Sequence, residues 1–485
     1  MKIKNPKINF YYSVISVCFF LIACQKSREA LPTNVVMIIA DDLGWSQIGC
    51  YGSSFYKTPN IDELAKSGIR FTNAYSAASI CSPTRAAIMT GKYPARLNLT
   101  DFIPGNNPKN KPLRTPENWQ KFLPLKEVTI AEKMQSLGYL TGFFGKWHLS
   151  KEKLPPESLS HNPKMQGFNE SFVTYKPSSN LIQHWQMENN DFHNVDTLTK
   201  RGLEFLNENQ KSPFLLILSH NTIHDPLLEN KKMINKYENS KGSDKMENNP
   251  IIGAMIETLD KSVGQIIKKL KSLGLFYNTL LIFCSDNGGK HKHALQTPFK
   301  KGKGWLYEGG IRVPLIISWP KKIKKSIVSE EITSSIDFLP TILKVANSDL
   351  SQKNQYDGID LSPIFTSQTN LINRNELFWH YPHYHNGSGM KPASAIRWKN
   401  YKLIEWHEPT LYNTDNQIEL YDLSLDQGES NNLFLKKPEI AIQMRNKLKV
   451  WINEVKAKMP EVNEVQITDK VKGGTFTNLN VSFTY

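Results

Sequence analysis

The sequence predicts an α/β protein: a large domain with a mostly parallel, mixed central sheet flanked by helices, then a smaller C-terminal α+β domain with a short antiparallel sheet. Runs of apolar and β-branched residues, continuous enough for strands covered on both faces, alternate with helix signals along most of the chain. Near residue 370 the alternation gives way to short strand-like pieces and one amphipathic helix. The chain has 485 residues, 39% hydrophobic and 22% charged, which is enough for a sizeable core and excludes a disordered or collagenous class. Its 5 cysteines are too few for a disulfide framework.

The first segment stands apart from the fold. Lys2, Lys4 and Lys7 precede a mostly apolar run from Ile8 to Ile22, the pattern of a secretory signal and too short and lopsided for a membrane span. The run ends Leu21-Ile22-Ala23-Cys24, which resembles the lipobox of bacterial lipoproteins. Residues 1–23 are therefore expected to be a signal peptide and 24–33 a linker. The chain is expected to be exported and held on a bacterial cell membrane, in the outer membrane and periplasm or at the cell surface, through lipid on Cys24. A plain signal peptide cut elsewhere is the alternative.

The large domain, 34–370, opens with the strand Asn34 to Ala40. Thr58-Pro59 starts a helix with proline at its first position, and Gly68 closes it. Thr129-Ile130-Ala131-Glu132 is a capping box and Gly138 a helix stop, with the strand Leu140 to Phe144 after it. Ser150 to Thr199 is polar and aperiodic, as expected of insertion loops lining a cleft. Phe214 to Leu218 is the next strand. Ile252, Met255, Leu259, Val263, Ile266 and Leu270 then repeat at helical spacing, and Leu280 to Cys284 and Val313 to Ser318 are strands. The small domain, 371–460, holds short strands at Ala393 to Arg397, Tyr401 to Glu405 and Glu419 to Asp422, and a helix from Pro438 to Val455. The tail, 461–485, has no readable pattern.

Functional residue types cluster where four of the strands end: Asp41-Asp42, Gly145-Lys146-Trp147-His148, His220 with His224, and Asp286-Asn287-Gly288-Gly289. In an open parallel sheet, ligands sit beyond the carboxyl ends of the strands, so these groups are expected to converge on one site. Asp41, Asp42, Asp286 and Asn287 are hard oxygen donors, which suit Ca²⁺ and, less well, Mg²⁺. The formal charge of +15 points to an anionic partner. Nucleic acid is not that partner, because the chain reads as exported and carries no zinc-finger, recognition-helix or RNA-sheet motif. Lys290, Lys292, Lys300 and Lys301 suit the steering of a polyanion.

The decisive segment is Cys81-Ser82-Pro83-Thr84-Arg85. With only 5 Cys and 27 Pro in the chain, Cys-x-Pro-x-Arg is rare by chance, and it is the core at which type I sulfatases oxidise cysteine to formylglycine (3-oxoalanine). The sequence resembles that formylglycine-dependent sulfatase family of the alkaline-phosphatase superfamily, in a bacterial lipoprotein form. The likeness also rests on Asp41-Asp42, Gly145 to His148, His224-Asp225-Pro226, Asp286 to Gly288, Gly302-Lys303 and Tyr307 to Arg312. One departure is Thr90-Gly91-Lys92, where the family has Thr-Gly-Arg.

The resemblance implies a sulfuric ester hydrolase, matured by a formylglycine-generating or anaerobic sulfatase-maturing enzyme and acting on a sulfated, polysaccharide-derived carbohydrate. It implies one Ca²⁺ on Asp41, Asp42, Asp286, Asn287 and the modified Cys81. A hydroxyl of the hydrated aldehyde would attack sulfur, Arg85 would pin the hydrate, and Lys146 and Lys303 would cradle the ester. His148 would be the base, and His224 or Lys303 would protonate the leaving alcohol. His220, His380, His383, His385 and Arg397 are candidate substrate contacts; packed strand-end and turn residues are the competing reading. The alternative functions are a phosphonate monoester or phosphodiester hydrolase and a non-catalytic lipoprotein that binds sulfated glycans.

Overall fold

The computed structural model describes residues 32–464 apart from 107–109, 152–159, 176–190, 325, 349–354, 367–371, 373 and 415–416. The expected signal, Cys24 and most of the tail lie outside the described residues. The described residues from Thr33 onward form one compact unit.

The large sheet has eight strands: β1 (Asn34–Ala40), β2 (Ile69–Phe71), β3 (Leu140–Gly145), β4 (Glu170–Val173), β5 (Phe214–Ser219), β6 (Thr279–Ser285), β7 (Leu315–Ser318) and β8 (Ile327–Ser329). Their order is β8-β2-β7-β6-β1-β5-β3-β4. β7 runs antiparallel to both of its neighbours, and every other pairing is parallel. The five long apolar runs are strands as expected, although the last begins at Leu315 because Pro314 cannot donate to a ladder. β2, β4 and β8 escape a sequence reading because they are three or four residues long and mix polar with apolar side chains.

Alternation along β1 divides the core. Val35, Met37 and Ile39 face one apolar layer, and Val36, Ile38 and Ala40 the other. The second layer is closed by α1 (Pro59–Lys66), by Val195–Glu208 and by the long helix Pro250–Ser272. All six of the long helix's periodic apolar residues are buried. Each such Leu, Ile or Val contributes about 1.5–3 kcal/mol on burial. The capping box forms as read: Glu132 N donates to Thr129 Oγ1 at 3.2 Å and Thr129 N to Glu132 Oε2 at 2.7 Å.

The small sheet has four antiparallel strands in sequence order: β9 (Glu376–Tyr381), β10 (Ala393–Trp398), β11 (Tyr401–Trp406) and β12 (Ile418–Asp422). The helix Pro438–Glu454 covers one face through Met444, Leu448 and Trp451. The other face packs on Tyr75, Leu306 and Ile311.

Register decides where the functional side chains emerge. Ala40 lies beside Ser285, Ile39 beside Ser219, and Ser219 beside Gly145, so β1, β3, β5 and β6 end on one line. Gly145 turns off that line at φ +121°, and a Cβ there would lie 1.9 Å from Ser219 O. Gly145→Ala is expected to cost about 3 kcal/mol or more, from strained backbone plus overlap, read as a lower urea midpoint.

Candidate active site

Asp41 and Asp42 follow β1, Lys146 and His148 follow β3, and Asp286 and Asn287 follow β6. Cys81 opens the helix α2 (Cys81–Thr90), all ten residues of which are buried. Ligand atoms of Asp41, Cys81 and Asp286 all lie within 4.8 Å of one another.

A charge lattice holds the group. Lys146 Nζ is 2.6 Å from Asp41 Oδ2, and Lys303 Nζ is 2.5 Å from Asp42 Oδ1 and 3.9 Å from Cys81 Sγ. Arg85 donates from Nε to Asp286 Oδ2 at 2.9 Å, and from Nη1 to Lys146 O at 2.7 Å and to Ser219 Oγ at 2.5 Å. Burial alone would raise the Asp41 carboxyl, but Lys146, His224 and Arg85 outweigh it and hold it well below the usual range. Against burial, Lys303 and then His224 lower the Asp42 carboxyl. Asp286 is pushed up to about 8, by burial first and then by Asp41.

Three buried oxygens in this lattice, Asp41 Oδ1, Asp42 Oδ2 and Asn287 Oδ1, have no hydrogen-bond partner. Unpartnered buried acceptors are costly, and hard oxygens left over beside one another are the donor set of a Ca²⁺ or Mg²⁺ site. These residues fit such an ion.

The two histidines at the site are held in defined tautomers. His148 Nε2 lies 2.7 Å from Ile103 O; a carbonyl only accepts, so Nε2 carries the proton and Nδ1, which has no partner, keeps its lone pair. By the same argument His224 donates from Nδ1 to Asp225 O at 2.8 Å, which leaves Nε2 3.8 Å from Asp42 Oδ2. Burial, then Lys146, depresses His148 to about 3; burial, then Lys303, does the same for His224.

Above this floor opens a cavity of about 1110 Å³ that Cys81, Lys146, His148, His224 and Lys303 line. Among the candidate substrate contacts only His385 lines it. His220 is fully buried behind the strand end, 3.3 Å from Ser262 Oγ. His380 is locked between Ser394 Oγ and Lys458 O, and His383 between Thr100 and the Trp119 ring. Arg397 lies over the Tyr75 ring and bonds to Lys399 O. Those four are packing residues: His380 and Arg397 lie on β9 and β10, His220 and His383 just beyond strand ends, and all four are buried. Lys300 is likewise withdrawn, with its Nζ over the Tyr307 ring and on Glu429 O. Lys92 pairs with Glu127 at 2.7 Å.

Sequence reasoning missed Ser219, which bridges Arg85 and Lys146 O, and Ile103, whose carbonyl orients His148. The first is an ordinary strand residue and the second acts through its backbone, so neither carries a side-chain signal. Asp225 sat inside a quoted motif, but its partners Lys290 and His293 were legible only in three dimensions.

The sulfatase family model matches residues 33–348. The chain belongs to the sulfatase family. A second model, N-sulphoglucosamine sulphohydrolase C-terminal, matches residues 299–458 of the sulfatase. A sulfatase of Formosa agariphila is 29% identical over 93% of this chain and 94% of its own length. Human arylsulfatase A is 31% identical over 83% of this chain and 84% of its own. The solved structure of Ps i-CgsB in complex with k-i-k-neocarrahexaose is 26% identical, with a TM-score of 0.71 over 87% of this chain and 92% of that one. The sulfatase is a sulfuric ester hydrolase on an α/β fold with a large mixed sheet and a small antiparallel one.

Proposed function

We propose that the sulfatase removes sulfate from a sulfated, polysaccharide-derived carbohydrate, with Cys81 converted to formylglycine by a maturing enzyme and Ca²⁺ held by Asp41, Asp42, Asp286 and Asn287 beside it. The observation that carries this reading is Cys81 on the cavity floor, next to Lys303 and the three unpartnered oxygens. Formylglycine at position 81 would, as its hydrate, supply one hydroxyl as nucleophile toward sulfur and a second whose deprotonation would expel sulfate as the aldehyde reforms. When bound, Ca²⁺ would supply positive charge beside Cys81. The k-i-k-neocarrahexaose in the solved complex of Ps i-CgsB supports the carbohydrate class.

The chain's own residues have distinct tasks. Lys146 and Lys303 bind the non-bridging oxygens in a buried setting where charge is strong. Arg85 fixes Asp286 and the α2 terminus. His148, neutral and with a free Nδ1, takes the proton of the second hydroxyl. Lys303, or His224 once an anionic ester in the cavity has favoured its protonated form, returns a proton to the alcohol. His224→Gln is expected to slow a sugar sulfate about 10²-fold while sparing 4-nitrophenyl sulfate, whose leaving group needs no acid. Lys303→Met is expected to slow both.

The test is sulfate release from a panel of sulfated saccharides and 4-nitrophenyl sulfate, set beside phosphonate release from an aryl phosphonate. Faster phosphonate turnover would overturn the reading. EGTA is expected to abolish activity and lower the thermal midpoint, with Ca²⁺ restoring both better than Mg²⁺; binding at about 100 times Kd is worth about 2.7 kcal/mol. Export and anchoring through lipid on Cys24 belong to the same proposal, and Cys24→Ala should move the protein from the detergent phase to the aqueous phase.

A further inference from the structure

We propose that the cavity mouth carries a second anion seat, formed by His291, Lys292 and Lys301, so that the sulfatase selects saccharides bearing an anionic group besides the scissile sulfate. The inference rests on the reading of the cavity floor as the sulfate site and adds the class of ester it accepts.

Two loops place these side chains together. Lys303 N donates to Gly289 O at 2.9 Å, and a Cβ on Gly302 would meet His291 N at 3.0 Å and His291 Cβ at 3.3 Å. Residues 289–292 and 301–303 therefore run backbone against backbone, and His291, Lys292 and Lys301 all line the cavity.

Counting counter-charges shows which cations remain available. Lys146 and Lys303 pair with Asp41 and Asp42 on the floor, where they serve the scissile sulfate, and Lys151 also lines the cavity. Asp225 is the one carboxylate among the described lining residues, and it is taken by Lys290 and, at 2.5 Å, by His293. Lys292 shares the same carboxylate at 3.6 Å, so one acid faces three basic side chains, and the Lys292 side chain is 62% exposed. Lys301 is half-buried with its Nζ 4.8 Å from the Trp305 ring centre, and among the described residues it has no carboxylate partner. A partly desolvated ammonium facing an open cavity favours an incoming anion. There is also room for one: 1110 Å³ exceeds the roughly 300–1,000 Å³ of pockets for small molecules, so the cavity accommodates more than a single sulfated ring.

The experiment is titration calorimetry on the full chain with sucrose octasulfate and with glucose 6-sulfate. The wild type should bind the octasulfate at least about tenfold more tightly, and Lys292→Gln with Lys301→Gln should remove about tenfold of that advantage, the scale of one or two charge-assisted contacts, without weakening glucose 6-sulfate. Lys301→Arg should keep it. Lys436→Ala with Lys449→Ala, exposed and away from the cavity lining, should leave both affinities unchanged. Equal affinity for the two probes in the wild type, or equal losses in the two double variants, would overturn the seat. Turnover of 4-nitrophenyl sulfate is scored separately: its absence in wild type counts against the proposed chemistry, and the binding comparison still decides the seat.

Discussion

Cys81→Ala should lower kcat/KM for every sulfate ester by about 10⁴-fold or more while the protein stays folded. The side chain lies at the first position of a wholly buried helix, so its loss removes one sulfur from a packed site, a cost of about 1 kcal/mol. The lattice of Lys146, Asp41, Arg85 and Asp286 does not use the thiol and should persist. Cys81→Ser makes a sharper statement. A lone hydroxyl attacks sulfur but has no second hydroxyl to re-expel it, so one sulfate per chain should accumulate as an ester at position 81, visible by mass spectrometry. Continued turnover by that variant would contradict the aldehyde mechanism. Wild-type protein should show the aldehyde in the same peptide.

Lys402→Met is expected to have the largest effect on stability. Lys402 is fully buried on β11 with Nζ 3.0 Å from Glu308 Oε1 and 2.8 Å from Glu429 Oε1, and both acids are themselves fully buried. Burial raises both carboxyls; for Glu308, Lys402 and Arg312 overcome it and hold the acid low, whereas Glu429 stays raised. Removing the ammonium leaves two facing carboxylates without their shared cation, which costs about 3–5 kcal/mol. The sign with pH is fixed: Glu308, depressed when folded, stabilises at pH above its unfolded value and loses that contribution as pH falls. In the variant the acids prefer to be neutral, so the deficit should shrink as pH drops from 8 to 5, measured by urea unfolding across that range. A constant deficit would mean that only packing was lost.

The triad also accounts for a motif whose purpose was unreadable in the sequence. In Tyr307 to Arg312, Glu308 ties the loop bearing Lys303 to the small sheet through Lys402, and Tyr307 stacks on Trp305. Gly309 takes the close approach of Gly288, where a Cβ would meet Gly309 O at 1.9 Å. The strand ends were legible because parallel strands are continuous apolar runs and their termini carry the polar chemistry. The Trp379-His380-Tyr381-Pro382-His383-Tyr384-His385 segment was half legible. Its composition marked a site, but strand alternation buries His380 and the turn directs only His385 to the cavity. Composition identifies side chains suited to a ligand, and the backbone decides which way they face.

The complete burial of α2 has a consequence for timing. Cys81 is 2% exposed and the nine residues after it are buried too, so no second protein can grip this segment once the chain has folded. The proposed oxidation of Cys81 by another enzyme would therefore have to precede folding. On that proposal each molecule would acquire or forfeit its activity while still an extended chain, and a copy that folded with its thiol intact would stay idle.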